Sequence, residues 1–296
     1  MTRSAVRLPA GTDVALEEPS VLERTIQVDG VVTRYLSAGT GPPLVLLHGA
    51  GDNARDWSYV LSLLGRSHRV FAPDLPGYSP ASSLASDYSP GRLARFVLSF
   101  MDAVGLDSAA VAGNSLGGLV ALQLALVEPE RVSALCLVDS AGLGRAVNPV
   151  LVLQRFPGLG ELAIAVGRRR PGAALRAVAR ALLLFGRPWR TPGSWLVEQY
   201  RAARQPGFLE ATVASLRAVL GPFGQRQVLA KRLAELRMPT LIIWGTADWV
   251  IPVTHGRRAV RRLPRGSLVQ LSWCGHAPQV ECPQGFTEAL DRFLQA

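Results

Sequence analysis

Ala109-Ala110-Val111-Ala112-Gly113-Asn114-Ser115-Leu116-Gly117 is the stretch on which the reading of this 296-residue chain turns. A short run of small apolar residues enters it, and an apolar helical pattern over residues 116–127 leaves it. Between them stands G-x-S-x-G in a strand-to-helix setting, the pattern of a nucleophile elbow. The glycines have a steric purpose. So tight a turn forces the serine backbone into strain, and bulky neighbours would collide. The turn lifts the Ser115 hydroxyl above a sheet edge at a helix N-terminus.

Working outward, strands and helices alternate. Residues 23–28 and 31–37 are β-branched runs joined at Asp29-Gly30, a hairpin signal. Residues 44–47, Leu-Val-Leu-Leu, suit a strand buried on both faces. Strands at 69–72, 109–112, 132–138, 240–244 and 267–271 interleave with helices at 54–64, 90–104, 116–127, 254–263 and 284–294. Such alternation implies right-handed crossovers and a parallel sheet with helices on both faces. Residues 142–222 break the rhythm. Helical patterns at 150–166, 173–185, 194–203 and 207–220 are punctuated by Pro157-Gly158, Pro171-Gly172, Pro188 and Pro192-Gly193. The chain therefore divides into a core over 1–141 and 223–296, with an all-helical cap over 142–222.

Composition sets the limits. The chain is 48% hydrophobic and 18% charged, which favours a sizeable core over disorder. No apolar run is long enough to span a bilayer. Residues 1–20 lack the apolar region of a secretory signal and read as a loose arm, so a cytoplasmic location is expected. Three cysteines, Cys136, Cys274 and Cys282, show no metal-ligand spacing and read as free thiols. The net charge is +10, and 31 of the 32 basic residues are arginine. Residues 142–226 hold 13 Arg and 3 Glu, the whole of that excess. The segment reads as a solvated arginine-rich face or an attractor of anions. No nucleic-acid recognition motif accompanies it.

A serine hydroxyl needs a base. Of four histidines, His68 enters a strand and His255 opens a helix, whereas His48 and His276 follow strand C-termini, the edge where open α/β sheets carry their sites. His48 reads as a loop former and His276 as the base. Asp248, after the strand at 240–244, is the expected orienting acid, with Asp139 as rival. Asp74 reads as a loop anchor. The expected oxyanion donors are the backbone N–H groups of Ala50 and Leu116.

These motifs together resemble the α/β-hydrolase superfamily: Leu46-Leu47-His48-Gly49, Asp74-Leu75-Pro76-Gly77, Gly113-Asn114-Ser115-Leu116-Gly117-Gly118, Gly245 with Asp248 and Pro252, then Gly275-His276. The resemblance implies an eight-stranded, mostly parallel sheet, a cap after the sixth strand, and serine hydrolase chemistry without a cofactor. Gly113-Asn114-Ser115 and residues 137–144 also resemble the meta-cleavage product hydrolases, which cut carbon–carbon bonds. That branch has Trp after the catalytic His, where Ala277 stands here, and a cap arginine near the place of Glu198. Three readings follow: a carboxylic-ester hydrolase, a carbon–carbon hydrolase of a carboxylate-bearing dienoate, and a non-catalytic binder on the same scaffold. The expected partner is a small-molecule ester or carbonyl compound, with no nucleic acid, no integral membrane segment, and a monomer or homodimer. Asn114, Trp189, Arg190, Trp195 and Arg201 are expected to touch substrate, with Phe156 and Phe185 as further pocket candidates.

Overall fold

The computed structural model describes residues 19–79 and 87–296. Most of the expected N-terminal arm lies outside them. Among the described residues there are ten strands: β1 (Leu22–Val28), β2 (Val31–Ala38), β3 (Pro43–Leu47), β4 (Arg69–Pro73), β5 (Ala109–Asn114), β6 (Val132–Val138), β7 (Leu220–Gly221), β8 (Gly224–Gln225), β9 (Thr240–Gly245) and β10 (Gly266–Leu271). The helices of the core are α1 (Ser58–Leu64), α2 (Pro90–Ala103) and α3 (Leu116–Val127). Between β6 and β7 come α4 (Pro149–Leu153), α5 (Leu159–Gly167), α6 (Arg170–Leu184), α7 (Gly193–Arg204) and α8 (Phe208–Val219). The chain closes with α9 (Thr254–Ala259), α10 (Pro278–Glu281) and α11 (Pro283–Leu294).

Eight strands form one sheet in the order β1-β2-β4-β3-β5-β6-β9-β10. Every pairing from β4 to β10 is parallel, and β2 alone runs against its neighbours. This is the eight-stranded, mostly parallel sheet that the motifs imply. The β1–β2 hairpin turns through Asp29 (φ 49°) and Gly30 (φ 78°), the two left-handed residues a tight primed turn needs. Pleating sorts β3 into two layers. Leu44 and Leu46 pack with Trp57, Leu61 and Phe286 of the α1/α11 face, while Val45 and Leu47 pack with the α2/α3 face around Phe100 and Leu119. Trp57 and Phe286 meet at 5.8 Å between ring centroids.

Two local readings change. The helix expected over 150–166 is broken into α4 and α5, because Pro157 cannot continue the first and Gly158 (φ 85°) turns the chain into the second. The segment expected to be all-helical ends in a two-residue antiparallel ribbon, β7 with β8. Its second strand lies beyond residue 222. Gln225 pins it, accepting from the Gly142 N–H at 2.7 Å and donating to the Ala146 carbonyl at 3.2 Å. A two-residue strand offers no alternation for a sequence reading to catch. No described helix is long and apolar enough to cross a membrane.

Leu46 is fully buried in the middle of the sheet. Leu46→Ala is expected to cost about 3 kcal/mol through the cavity it leaves. Urea unfolding would show this as a lower midpoint with an unchanged slope.

Candidate active site

Five adjacent parallel strands, β3, β5, β6, β9 and β10, deliver His48, Ser115, Asp139, Asp248 and His276 from their C-terminal ends. Sequence-distant side chains therefore gather at one sheet edge. Ser115 sits at φ 56° and ψ −114°, a backbone state that costs a non-glycine residue about 1–3 kcal/mol. The flanking glycines are required by contact. A Cβ on Gly113 would strike the Gly117 carbonyl, and one on Gly117 would strike the Leu47 carbonyl. On Gly118 it would strike the Ser140 hydroxyl. The Ser115 N–H donates to the Val138 carbonyl at 3.0 Å and its own carbonyl accepts from Ala141 at 3.0 Å, so the turn is stitched to the end of β6.

Nδ1 of His276 lies 2.8 Å from Oδ2 of Asp248. Oδ1 of Asp248 accepts from the backbone N–H groups of Val250 (2.7 Å) and Ile251 (3.0 Å). With both oxygens engaged and its side chain fully buried, Asp248 is held as an acceptor. That fixes Nδ1 of His276 as the protonated nitrogen and leaves Nε2 as the basic one. The His276 N–H donates to the Leu184 carbonyl at 2.6 Å, and its carbonyl accepts from Asn114 Nδ2 at 2.9 Å. Among the described residues the Ser115 hydroxyl makes no hydrogen bond.

The other histidines are placed elsewhere. His48 donates Nδ1–H to the Gly49 carbonyl (2.8 Å) and accepts at Nε2 from the Leu75 N–H (2.9 Å). Burial lowers its pKa, so it is a neutral brace for its loop. Asp74 anchors the same loop, accepting from Arg34 Nε (2.8 Å) and the Ala54 N–H (2.8 Å). His68 pairs with Asp291 at 3.5 Å at the entry to β4. His255 packs under Gly144.

Asp139 is completely buried behind Asp248, at φ 43°. Its Oδ1 accepts from the Gly245 N–H at 2.9 Å, while Oδ2 has no partner of its own. Burial, with the adjacent Asp248 carboxylate, raises its pKa well above the usual range. A neutral carboxyl resolves the contact, since its proton serves Oδ2 beside a charged neighbour. Asp139, Asp248 and His276 each present one donor atom within 4.8 Å of the others. That set suits a metal poorly, because Asp248 has spent both oxygens and Asp139 is neutral.

The loop after β3 carries a second buried charge group that the sequence did not single out. Arg180 of α6 reaches Asp52 Oδ1 at 2.5 Å, and Gln199 of α7 donates to the same atom at 3.2 Å. Arg176, one turn before Arg180, bonds Gln199 Oε1 at 3.2 Å and the Gly51 carbonyl at 3.5 Å. Burial and the neighbouring Arg180 bring the Arg176 guanidinium down to about 9, still charged at neutral pH. Against the effect of burial, Arg180, the Asp56 hydrogen bond and His48 hold Asp52 below its ordinary value. Burial and the Asp52 charge push Asp56 well up. Two cations thus face one ionised carboxylate above Gly51. The available signal was the spacing Ala173, Ala177, Ala181 with Arg176 and Arg180 between them, a small-residue face that places arginine inward. Ala50 is half-buried on this loop and Leu116 buried at the start of α3; among the described residues neither N–H donates a hydrogen bond.

Several expected substrate contacts are corrected. Asn114 is buried and spends its amide on the Val138 and His276 carbonyls, so it braces the site from behind. Trp195 is core, 4.9 Å from Phe185 in an edge-on pair; both are buried because α7 and the end of α6 close over them. Trp189 is 80% exposed, and Arg190 and Phe156 also face solvent. Arg201 lines a groove of about 500 Å³ with Arg55, Tyr59 and Glu198, and none of Ser115, Asp248 or His276 lines it.

The family described as alpha/beta hydrolase fold matches residues 42–283. The dihydrolipoyllysine-residue acetyltransferase component of the acetoin cleaving system of Cupriavidus necator is 32% identical over 293 residues, covering 98% of this chain and 74% of that protein. The 2-hydroxy-6-oxo-6-phenylhexa-2,4-dienoate hydrolase of Burkholderia cepacia is 30% identical over 266 residues, 87% of this chain and 89% of its own length. A solved structure of a serine hydrolase involved in carbazole degradation is similar at a TM-score of 0.77 and 26% identity, covering 93% of this chain and 99% of that one.

The neutral Asp139 carries a pH signature. Its folded pKa lies above the unfolded value of 3.8, so folding must protonate it once the pH exceeds that value. The cost is absent below pH 3.8 and grows as the pH rises. Asp139→Asn is expected to raise the melting temperature at pH 8 relative to the native chain, and the difference should shrink toward pH 4. Thermal melts across that range measure it.

Proposed function

The chain belongs to the α/β-hydrolase family, and on that premise we propose that it hydrolyses carboxylic esters through Ser115, His276 and Asp248. The observation that carries this reading is the Asp248–His276 hydrogen bond at 2.8 Å, set beside the strained turn at Ser115. His276 Nε2 takes the Ser115 proton as Oγ adds to the ester carbonyl. Asp248 steadies the imidazolium. The tetrahedral oxyanion lies against the N–H groups of Ala50 and Leu116, each such donor being worth about 3 kcal/mol in comparable sites. His276 then gives its proton to the departing alcohol. In the second half it takes a proton from water, which releases the acid from Ser115. Helices α4 to α8 act as the cap, with α6 as the part nearest the chemistry.

The test is turnover of p-nitrophenyl esters from acetyl to octanoyl. Ser115→Ala is expected to lower kcat/KM by about four orders of magnitude or more, with Asp248→Asn close behind. A fluorophosphonate probe should label the native chain and leave Ser115→Ala unlabelled. Native protein that neither turns over these esters nor takes the label would sink the proposal and favour a binding role.

A second reading has its own observation, the two arginines above Gly51. The same three residues could cleave a carbon–carbon bond next to a ketone, with Arg176 receiving the carboxylate of a dienoate, the substrate class named for the Burkholderia relative. Under this reading Arg176→Gln raises KM for a ring-fission dienoate at least tenfold and leaves KM for p-nitrophenyl butyrate unchanged. Equal effects on both substrates would leave the ester reading standing alone.

A further inference from the structure

Helix α6 is built inside out. Ala173, Ala177, Ala181 and the charged Arg176 and Arg180 face the protein. The large aliphatic residues Leu175 (66% exposed), Val178 and Leu182 (63% exposed), spaced i, i+3, i+7, lie on the opposite side in open solvent. Helix α5, packed against α6, repeats the pattern. Gly160 and Gly167 are buried, while Leu159, Leu162 (58% exposed) and Val166 face outward. Two neighbouring helices thus present apolar stripes away from the core. A surface helix ordinarily turns that stripe inward, and exposed apolar stripes of this kind mark interaction sites.

The charges around the stripes indicate what covers them. Arg168, Arg169 and Arg170 form the junction from the C-terminus of α5 into the first residue of α6, and all three are exposed. Arg168 pairs with Glu210, but among the described residues Arg169 and Arg170 have no acidic partner. At the other end of α6 stand the exposed Trp189 and Arg190. The only three acids in this segment are already engaged: Glu161 by Arg217, Glu210 by Arg168, and Glu198 by Asn53 and Arg55. A second copy of the same face would bring arginine onto arginine with nothing to neutralise it. Apolar stripes bordered by arginine and an exposed tryptophan match a surface that is anionic outside and hydrocarbon beneath.

We propose that the outer face of α5 and α6 docks on an anionic lipid bilayer surface, with Leu162, Leu175 and Leu182 entering the acyl boundary and Arg169 and Arg170 meeting lipid phosphates. This holds whichever bond the site cleaves, and it needs no spanning helix.

The test is co-sedimentation of the full chain with vesicles of phosphatidylcholine, alone or containing phosphatidylglycerol. Binding to the anionic vesicles is expected to exceed binding to the neutral ones by at least tenfold and to weaken as salt rises from about 50 mM to about 500 mM. The combined Leu162→Gln, Leu175→Gln and Leu182→Gln variant should lose binding at least tenfold while its circular dichroism melt overlays the native one. Arg169→Gln with Arg170→Gln should reduce only the preference for anionic vesicles. Native protein that stays in the supernatant with both kinds of vesicle overturns the proposal. So does binding that survives the triple leucine variant. A native dimer that this variant turns into a monomer, without vesicle binding, would assign the face to a second copy instead.

Discussion

Backbone closeness at the turn around Ser115 is the constraint from which the rest of the site follows. Gly117 lies so near the Leu47 carbonyl, and Gly113 so near Gly117, that neither can carry a side chain. This contact draws the end of β5, the start of α3 and the loop after β3 into one small volume. Ser115 can then share a neighbourhood with Ala50 and with the Asp248–His276 pair only because the intervening backbone is stripped of side chains. The strain at Ser115 is offset by hydrogen bonds to Val138 and Ala141. Without that stitching, the positive φ would relax and the hydroxyl would turn away.

Two groups of buried charge surround this turn, and each is satisfied differently. Behind His276, both oxygens of Asp248 are engaged, by two backbone N–H groups and an imidazole. Asp139, next to it, stays neutral because a second charge there has no such support. Above Gly51, Asp52 keeps its charge through Arg180 and drives the proton onto Asp56. In both places burial beside an acidic neighbour pushes one carboxyl well up, as expected for close acidic pairs in a low dielectric.

Much of this was legible in the sequence, for identifiable reasons. The sheet could be read because parallel strands buried on both faces leave continuous apolar runs such as Leu44–Leu47. The placement of Ser115, Asp248 and His276 at one edge of the sheet could be read because each follows such a run. The helical segment was harder. Its helices were visible, but which face turns inward was not, since α6 inverts the usual pattern and buries arginine beneath exposed leucine. Trp195 and Trp189 looked alike as pocket candidates, yet one is core and the other exposed. Asn114 was misread because its partner, the His276 carbonyl, lies 162 residues away. The Asp52–Arg180 pair, 128 residues apart, was hidden for the same reason. Contacts between residues far apart in sequence leave no local pattern.

Helix α6 touches both halves of the site. Arg176 and Arg180 grip the loop after β3, and four residues further on the Leu184 carbonyl accepts the His276 N–H. An element held at both ends behaves as a beam and not as a flap. It cannot swing from one hinge without releasing either His276 or the loop after β3, so traffic of small molecules has to pass along its flanks while the beam itself keeps the two halves at a fixed spacing.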